Sequence, residues 1–263
     1  MENFRTVIYE YYRRHKRDLP WRKTSDPYHV LVSEFMLQQT QADRVLPKYT
    51  LFLEAFPHVQ ALAHASSADV LRLWSGLGYN RRALFLHGSA LKIVSDFSGR
   101  VPTTYDALRQ LPGVGSYTAN AILVFAYNQP ALVLDTNIRR VYIHFFFEEK
   151  NSVHDSELFP LMEETLDTGN PRRWFNALMD YGAMLGKVNP ALNKRSKHYG
   201  RQSRFEGSER QIRGRVVRTL LGQPCTFAEL RKIVSDARLK TILGDLQREG
   251  FIEKKNTKSA IRS

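Results

Sequence analysis

The stretch "LPGVGSYTANAILVFAYNQPALVLDTNIRRV", Leu111 to Val141, decides the fold because a glycine turn joins two helical patterns there. Gly113 and Gly115 can take positive φ without a Cβ penalty, so we predict a tight hairpin with a helix beginning at Ser116. The free N–H groups and the positive dipole end of that helix would favour a phosphate. A plain connection between two helices explains these residues equally well.

Asp135 lies between "LVL" and "TNIRRV", where it predicts the start of another helix. An N-cap is the commonest role of an Asp at such a place. Glu34 lies within the apolar stretch "VLVSEFMLQQ", where desolvation would raise the pKa of its carboxyl and suit a general acid. A protonated carboxyl and an ionised carboxylate together can cleave a bond to a sugar carbon. A buried Glu paired with an arginine remains the alternative for Glu34.

The charge of the chain indicates a polyanionic partner. Lys and Arg number 39 against 26 Asp and Glu, a net charge of +13, and nucleic acid is the first partner that such a balance favours. No apolar run approaches the length of a membrane-spanning helix, and the N-terminus lacks a secretory pattern. Cys225 is the only cysteine, which excludes an internal disulfide and a cysteine-built metal site. We therefore expect a cytoplasmic, nucleoid-associated protein.

The patterning along the chain predicts a mainly α fold. Helical periodicity dominates before residue 185, with a helix break expected near Pro47, and period-2 alternation is scarce. From Gly186 to Arg218 ten basic residues face two acidic ones. Three short helical patterns and the strand-like "FIEKK" then favour a winged helix-turn-helix, with a plain helical appendage as the alternative. We predict a domain over residues 1–188, a basic linker over 189–208 and a winged-helix-like domain over 209–263.

Several motifs in order resemble the helix–hairpin–helix (HhH-GPD) DNA glycosylases, specifically the adenine glycosylases of the MutY type. The resemblance rests on "LPGVGSYTANAI…VLDTNIRRV", "LPWRKTSDPYHVLVSEFMLQQTQADRVLPKY", "LWSGLGYNRRALFLH" and "NALMDYGAML", and it covers about Arg17 to Leu185. It implies a two-lobed all-α fold and an enzyme that hydrolyses the N-glycosidic bond of a mispaired base flipped from duplex DNA. Adenine opposite 8-oxoguanine or guanine is the implied substrate, and a monomer bound to double-stranded DNA is the expected assembly.

The resemblance also implies roles for single residues. Glu34 would protonate N7 of the adenine, Asp135 would stabilise the sugar cation, and Tyr117 and Asn137 would complete the catalytic set. Family members that also cut the strand carry a lysine at the position of Tyr117, so we expect a glycosylase without strand cleavage. The residues expected to bind DNA are Gln38, Gln39, Gln41, Tyr79, Leu111, Gly113, Val114, Gly115 and Ser116.

Two departures from the family pattern affect these expectations. The cysteine register of the family's [4Fe–4S] cluster falls here on Gly186, Asn193, Ser196 and Gln202. We therefore expect no metal and no cofactor. Whether a monovalent cation binds at the hairpin stays open. The family's C-terminal domain, which reads 8-oxoguanine, is replaced by about 55 residues of winged-helix pattern. The base opposite the target therefore stays open.

Three other functions remain as alternatives. A thymine or uracil glycosylase acting on G·T and G·U mismatches would share the Glu, Tyr and Asp of this set, although its "QQTQ" segment generally differs. A non-catalytic DNA-binding protein would use the hairpin and the winged helix alone. A metal-dependent nuclease needs clustered carboxylates or histidines, and the eight histidines are scattered.

Overall fold

The computed structural model describes residues 2–200 and 204–262, which form two compact units. The first unit holds residues 2–34, 103–110 and 114–200, and the second holds 35–102, 111–113 and 204–262. Helices make up most of both units, which confirms the mainly α prediction. Among the described residues, no helix combines the length and the apolar character that crossing a bilayer requires.

The first unit is built from seven helices, numbered here along the whole chain, and two short 3-10 helices, at Pro20–Arg22 and Pro190–Arg195. They are α1 (Glu2–His15), most of α2 (Pro27–Leu37), α7 (Tyr105–Arg109), α8 (Ser116–Phe125), α9 (Thr136–Phe146), α10 (Asp155–Thr165) and α11 (Pro171–Val188). The ring of Phe4 on α1 packs edge-on at 5.0 Å from Phe146 on α9 and at 5.7 Å from Trp174 on α11. This aromatic core holds α1, α9 and α11 together.

A buried carboxylate fixes the turn between α1 and α2 to α11. Asp180 accepts a bidentate pair from Arg22, at 2.8 and 2.9 Å, and further bonds from the backbone N and Nε of Arg17. Two guanidinium groups thus compensate one buried charge. The pairing explains why the separate motifs "LPWR" and "NALMDYGAML" belong together.

The second unit begins with α3 (Ala42–Ala55), α4 (Val59–His64), α5 (Ser67–Trp74) and α6 (Arg81–Asp96). The predicted break near Pro47 is wrong, because α3 runs through that proline. The chain leaves the helical conformation earlier, at Gln39, whose φ of +54° a continuous helix does not allow. Pro47 removes one backbone hydrogen bond from α3, and the helix continues in spite of that loss.

The C-terminal part of the second unit has the winged-helix order of elements. These are α12 (Glu209–Gly222), β1 (Cys225–Thr226), α13 (Phe227–Ile233), α14 (Leu239–Arg248), β2 (Ile252–Lys255) and β3 (Lys258–Ile261). The strands form an antiparallel sheet in the order β1-β3-β2, of which the sequence predicted only "FIEKK". Asn256, with a φ of +57°, makes the tight turn of the wing.

The first part of the predicted basic linker is folded onto the first unit. Leu192 lies in the aromatic core, and Ser196 forms a parallel bridge with Val153. The guanidinium of Arg195 caps the end of α9 by donating to the carbonyl oxygens of Phe147, Glu148 and Lys150. These contacts make residues 190–196 a structural part of that unit, while the exact domain boundaries stay predictions.

Candidate active site

Glu34 lies on α2 within a largely apolar part of that helix. Its neighbours Leu31, Val32, Phe35 and Met36 are fully buried, and Glu34 itself is only 6% exposed. Burial, and after it the charge of Asp135, raise the pKa of Glu34 from 4.5 to about 8. A carboxylic acid that keeps its proton near neutral pH can act as a general acid.

Asp135 is the N-cap of α9, as the sequence predicts. Its Oδ1 accepts the backbone N–H of Ile138 at 2.7 Å, and its Oδ2 accepts Nδ2 of Asn137 at 2.9 Å. Burial raises the pKa of Asp135, while these hydrogen bonds and the nearby charge of Arg139 act to lower it. Because donors point at both oxygens of Asp135, it is the first of the two carboxyls to ionise.

Tyr117 on α8 completes an electrostatically coupled set with these carboxyls. Burial raises the pKa of Tyr117 well above its ordinary value, and the charges of Glu34 and Asp135 raise it further. The phenol therefore stays neutral. The first unit thus brings together the four predicted catalytic residues, because Asn137 is bonded to Asp135.

Arg140 on α9 orients the amide of Asn137, a role that sequence reasoning missed. The buried guanidinium donates through Nη1 to Oδ1 of Asn137 at 3.1 Å and to the carbonyl of Gly182, and through Nε to Oδ1 of Asn193 at 3.1 Å. Since Oδ1 of Asn137 faces a donor, its Nδ2 faces Asp135. A Cβ on Gly182 would lie 2.2 Å from the backbone oxygen of Asn137, so α11 must approach α9 without a side chain there.

The residues at the cluster register do not fit an iron–sulfur cluster. Asn193 accepts a hydrogen bond from Arg140, Ser196 is buried, and a Cβ on Gly186 would lie 2.4 Å from Nη1 of Arg140. Gln202 lies outside the described residues. An amide, a hydroxyl and a glycine cannot replace the thiolates that hold such clusters. Within residues 2–200 and 204–262, no three His, Cys, Asp or Glu side chains are grouped to hold a metal.

The predicted glutamines lie in the second unit, on the loop between α2 and α3. Gln39 and Gln41 are exposed, and Gln41 occupies the N-cap position of α3 without making a side-chain cap bond. Gln38 is half-buried, and its carbonyl oxygen accepts a bond from Arg82. The loop therefore presents amide side chains on a fixed backbone.

Arg82 on α6 holds this loop together, and nothing in the sequence except its charge predicts this role. Nη1 donates to the carbonyl oxygens of Phe35, Met36 and Gln38 at 2.6 to 2.9 Å, and Nη2 donates to the Thr40 hydroxyl at 3.0 Å. Burial lowers the pKa of Arg82 to about 10, so the cation persists at neutral pH.

Tyr79 lies on the turn between α5 and α6, and Arg82 reaches this turn as well. Gly76, Gly78 and Tyr79 all have positive φ, of +97°, +75° and +47°. Nη2 of Arg82 donates to the carbonyl of Gly78 at 2.9 Å. One buried guanidinium thus ties the tyrosine turn to the glutamine loop within the second unit.

The glycine hairpin differs from the prediction at one residue. Gly113 has a φ of +74°, and a Cβ there would lie 2.7 Å from Cβ of Phe85. Gly115 has a φ of −82°, so it does not use the positive region that glycine allows. Helix α8 begins at Ser116 as predicted, and Gly115 and Ser116 are exposed at its start. Leu111 and Val114, which flank the turn in the sequence, are buried.

The chain matches known DNA repair proteins over most of its length. Residues 32–164 match the family described as HhH-GPD superfamily base excision DNA repair protein. An adenine DNA glycosylase of Mycolicibacterium smegmatis is 36% identical over 94% of this chain and 91% of its own length. An adenine DNA glycosylase of Mycobacterium tuberculosis (strain H37Rv) is 51% identical over 52% of this chain and 45% of its own length.

Solved structures resemble the chain as well. A thermostable thymine-DNA glycosylase matches 70% of this chain and 86% of its own, with 30% identity and a TM-score of 0.63. Endonuclease III in a trapped covalent intermediate with DNA matches 80% of this chain and 91% of its own, with a TM-score of 0.56. At 15% identity, this second likeness shows a shared fold only.

Proposed function

Because the chain belongs to the HhH-GPD superfamily of base excision DNA repair proteins, we propose that it excises adenine mispaired with 8-oxoguanine or guanine. The observation that carries the proposal is the coupled pair of Glu34, whose pKa burial raises to about 8, and Asp135, whose two oxygens both accept hydrogen bonds. The adenine DNA glycosylase of M. smegmatis, matched over 91% of its length, supports adenine as the base.

The pair divides the reaction into two tasks once the base has been flipped out of the helix. Glu34 donates its proton to N7 of the adenine, which turns the base into a neutral leaving group. Asp135 stabilises the positive charge that develops on the sugar as the C1′–N9 bond breaks. Water then adds to C1′, its proton returns to a carboxylate, and an abasic site remains in an intact strand.

The second half of the proposal is that the strand stays uncut. Strand cleavage by glycosylases of this kind requires an amine that forms a Schiff base with the sugar. The residue at the corresponding position is Tyr117, a neutral phenol. We propose further that the protein acts as a monomer and in the nucleoid, where its duplex substrate lies, and that it needs no iron–sulfur cluster.

A mismatch-specific thymine or uracil glycosylase is the second candidate. The solved thymine-DNA glycosylase, at 30% identity, supports it. The two candidates differ in their need for a proton donor, because a pyrimidine leaves without protonation at an N7. Adenine excision should therefore depend on Glu34 far more strongly than thymine excision does.

A panel of duplexes tests the proposal directly. Purified protein is incubated with A·8-oxoG, A·G, T·G and U·G duplexes, and abasic sites are revealed by alkali. We expect product from A·8-oxoG and A·G only after alkali, no product from Asp135→Asn, and unchanged product from Asp106→Asn, a matched change at an exposed aspartate of the first unit. Product without alkali would refute the uncut strand, and product from T·G alone would refute adenine as the substrate.

A further inference from the structure

Tyr79 has a second arginine partner, Arg210, which comes from the C-terminal segment of the chain. Nη1 of Arg210 donates a hydrogen bond to the Tyr79 hydroxyl. The Cζ of the same guanidinium lies 5.1 Å from the centroid of the tyrosine ring. One side chain, 131 residues further along the chain, therefore contacts both the tip and the ring of Tyr79.

The backbone of Tyr79 is fixed independently of Arg210. Its φ of +47° follows two glycines with positive φ, and its carbonyl oxygen accepts the backbone N–H of Arg82 at 2.9 Å. The guanidinium of Arg82 lies 5.6 Å from the ring centroid. With the backbone held by its own turn, the contacts of Arg210 act on the direction of the side chain, which is half-buried.

Arg210 is itself held by the winged-helix segment. It lies in the first turn of α12, whose N-cap Ser208 accepts the backbone N–H of Gln211. One turn further on, Arg213 pairs with Glu249 at the end of α14 at 2.5 Å. The placement of Arg210 therefore depends on how α12 packs within that segment.

We propose that Arg210 is a positioning residue for Tyr79, through which the winged-helix segment sets how the tyrosine stacks against DNA at a mispair. An aromatic ring that enters a base stack is stabilised by stacking only when it arrives in the correct orientation. Arg210 fixes the orientation of the ring before DNA binds, and its guanidinium supplies a positive charge beside the tyrosine for the DNA phosphates. The inference rests on the proposed function only in taking duplex DNA with a mispair as the ligand.

The test compares Arg210→Ala with Arg218→Ala, which removes the same charge from an exposed position of the same helix. The main readout is the ratio of dissociation constants for a matched duplex and an A·8-oxoG duplex. A second readout is the fluorescence of 2-aminopurine placed beside the mispair, which reports insertion into the stack without any excision. We expect Arg210→Ala to lower both the ratio of dissociation constants and the fluorescence change about fivefold to tenfold. Arg218→Ala should weaken binding to the two duplexes by the same factor.

A double substitution separates positioning from a general contribution to stability. If Arg210 acts through the tyrosine, Arg210→Ala should change the ratio by less than about twofold in a Tyr79→Ala background. Arg210→Lys should recover only part of the ratio, since an ammonium lacks the planar fork. An equal effect of Arg210→Ala and Arg218→Ala, or an undiminished effect in the Tyr79→Ala background, would overturn the inference. Absence of adenine excision by the unmodified protein, with the fluorescence effect intact, would instead refute the proposed function alone.

Discussion

Replacing Glu34 with Gln should make the free energy of unfolding less dependent on pH between about 5 and 7, and it should remove the proposed general acid. The folded carboxyl keeps its proton up to about pH 8, whereas the unfolded one releases it near 4.5. Between these values the folded state binds more protons than the unfolded state, so the free energy of unfolding falls as pH rises. The stability associated with the protonated group is fully present below pH 4.5 and is lost progressively up to pH 8.

The size of this effect follows from the distance between the two pKa values. Each pH unit between them corresponds to about 1.4 kcal/mol, so the loss is about 1 kcal/mol at pH 5 and about 3 kcal/mol at pH 7. Because the side chain is 6% exposed, solvent screening reduces this figure little. Glutamine has the shape of the protonated acid and no proton to lose, and the burial of its amide costs the same at both pH values.

Urea unfolding of the wild-type protein and the Glu34→Gln variant at about pH 5 and pH 7 measures the effect. From pH 5 to pH 7, we expect the free energy of unfolding of the variant to rise by about 2 kcal/mol relative to that of the wild-type protein. The rate of adenine excision should fall at least about a hundredfold. Glu54→Gln, at an exposed position of α3, is the matched control and should show neither change. A stability difference that is the same at both pH values would refute the reasoning, since it would show that Glu34 ionises normally in the folded protein.

Three further substitutions test the supports of the site. Gly182→Ala should lower the single-turnover excision rate at least about tenfold with duplex affinity retained, because the new Cβ meets the Asn137 backbone at 2.2 Å; an unchanged rate would contradict this close approach. Asn193→Ala removes the acceptor of the Arg140 Nε and should lower the free energy of unfolding by about 1–2 kcal/mol in urea titrations. An unchanged free energy of unfolding would refute this expectation. Gly113→Ala should weaken binding to matched and mismatched duplexes alike in fluorescence anisotropy, since its φ of +74° is strained for alanine; selective loss for mismatched DNA would count against a backbone-binding hairpin.

The sequence predicted the features that depend on neighbouring residues in the chain. Asp135 stands directly before a helical pattern, and its cap bond to Ile138 has the predicted form. Glu34 is surrounded by apolar residues within its own helix, so its raised pKa follows from local sequence as well. Helix order could be predicted for the same reason, because periodicity and caps are local signals.

The features that the sequence did not predict depend on contacts between distant segments. Arg82, Arg140 and Arg210 each bind groups from another element, and in a sequence an arginine on a helix is most simply a solvated residue. The error at Pro47 has the same origin, since packing of α3 outweighs the local penalty of the proline. The sequence alone therefore does not reveal which distant groups a charged residue hydrogen-bonds.

The proposed mechanism needs opposite protonation states at Glu34 and Asp135, and the structure favours ionisation of Asp135 by pointing hydrogen-bond donors at it. Asp135 receives a donor on each oxygen, and one of them, Nδ2 of Asn137, points the right way only because Arg140 occupies the other end of the amide. Arg140 in turn is placed by the Oδ1 of Asn193, one of the residues on which the expected cluster register falls. In the proposed mechanism, the neutral amide of Asn193 therefore supports the ionisation of Asp135 by holding the guanidinium of Arg140 in place.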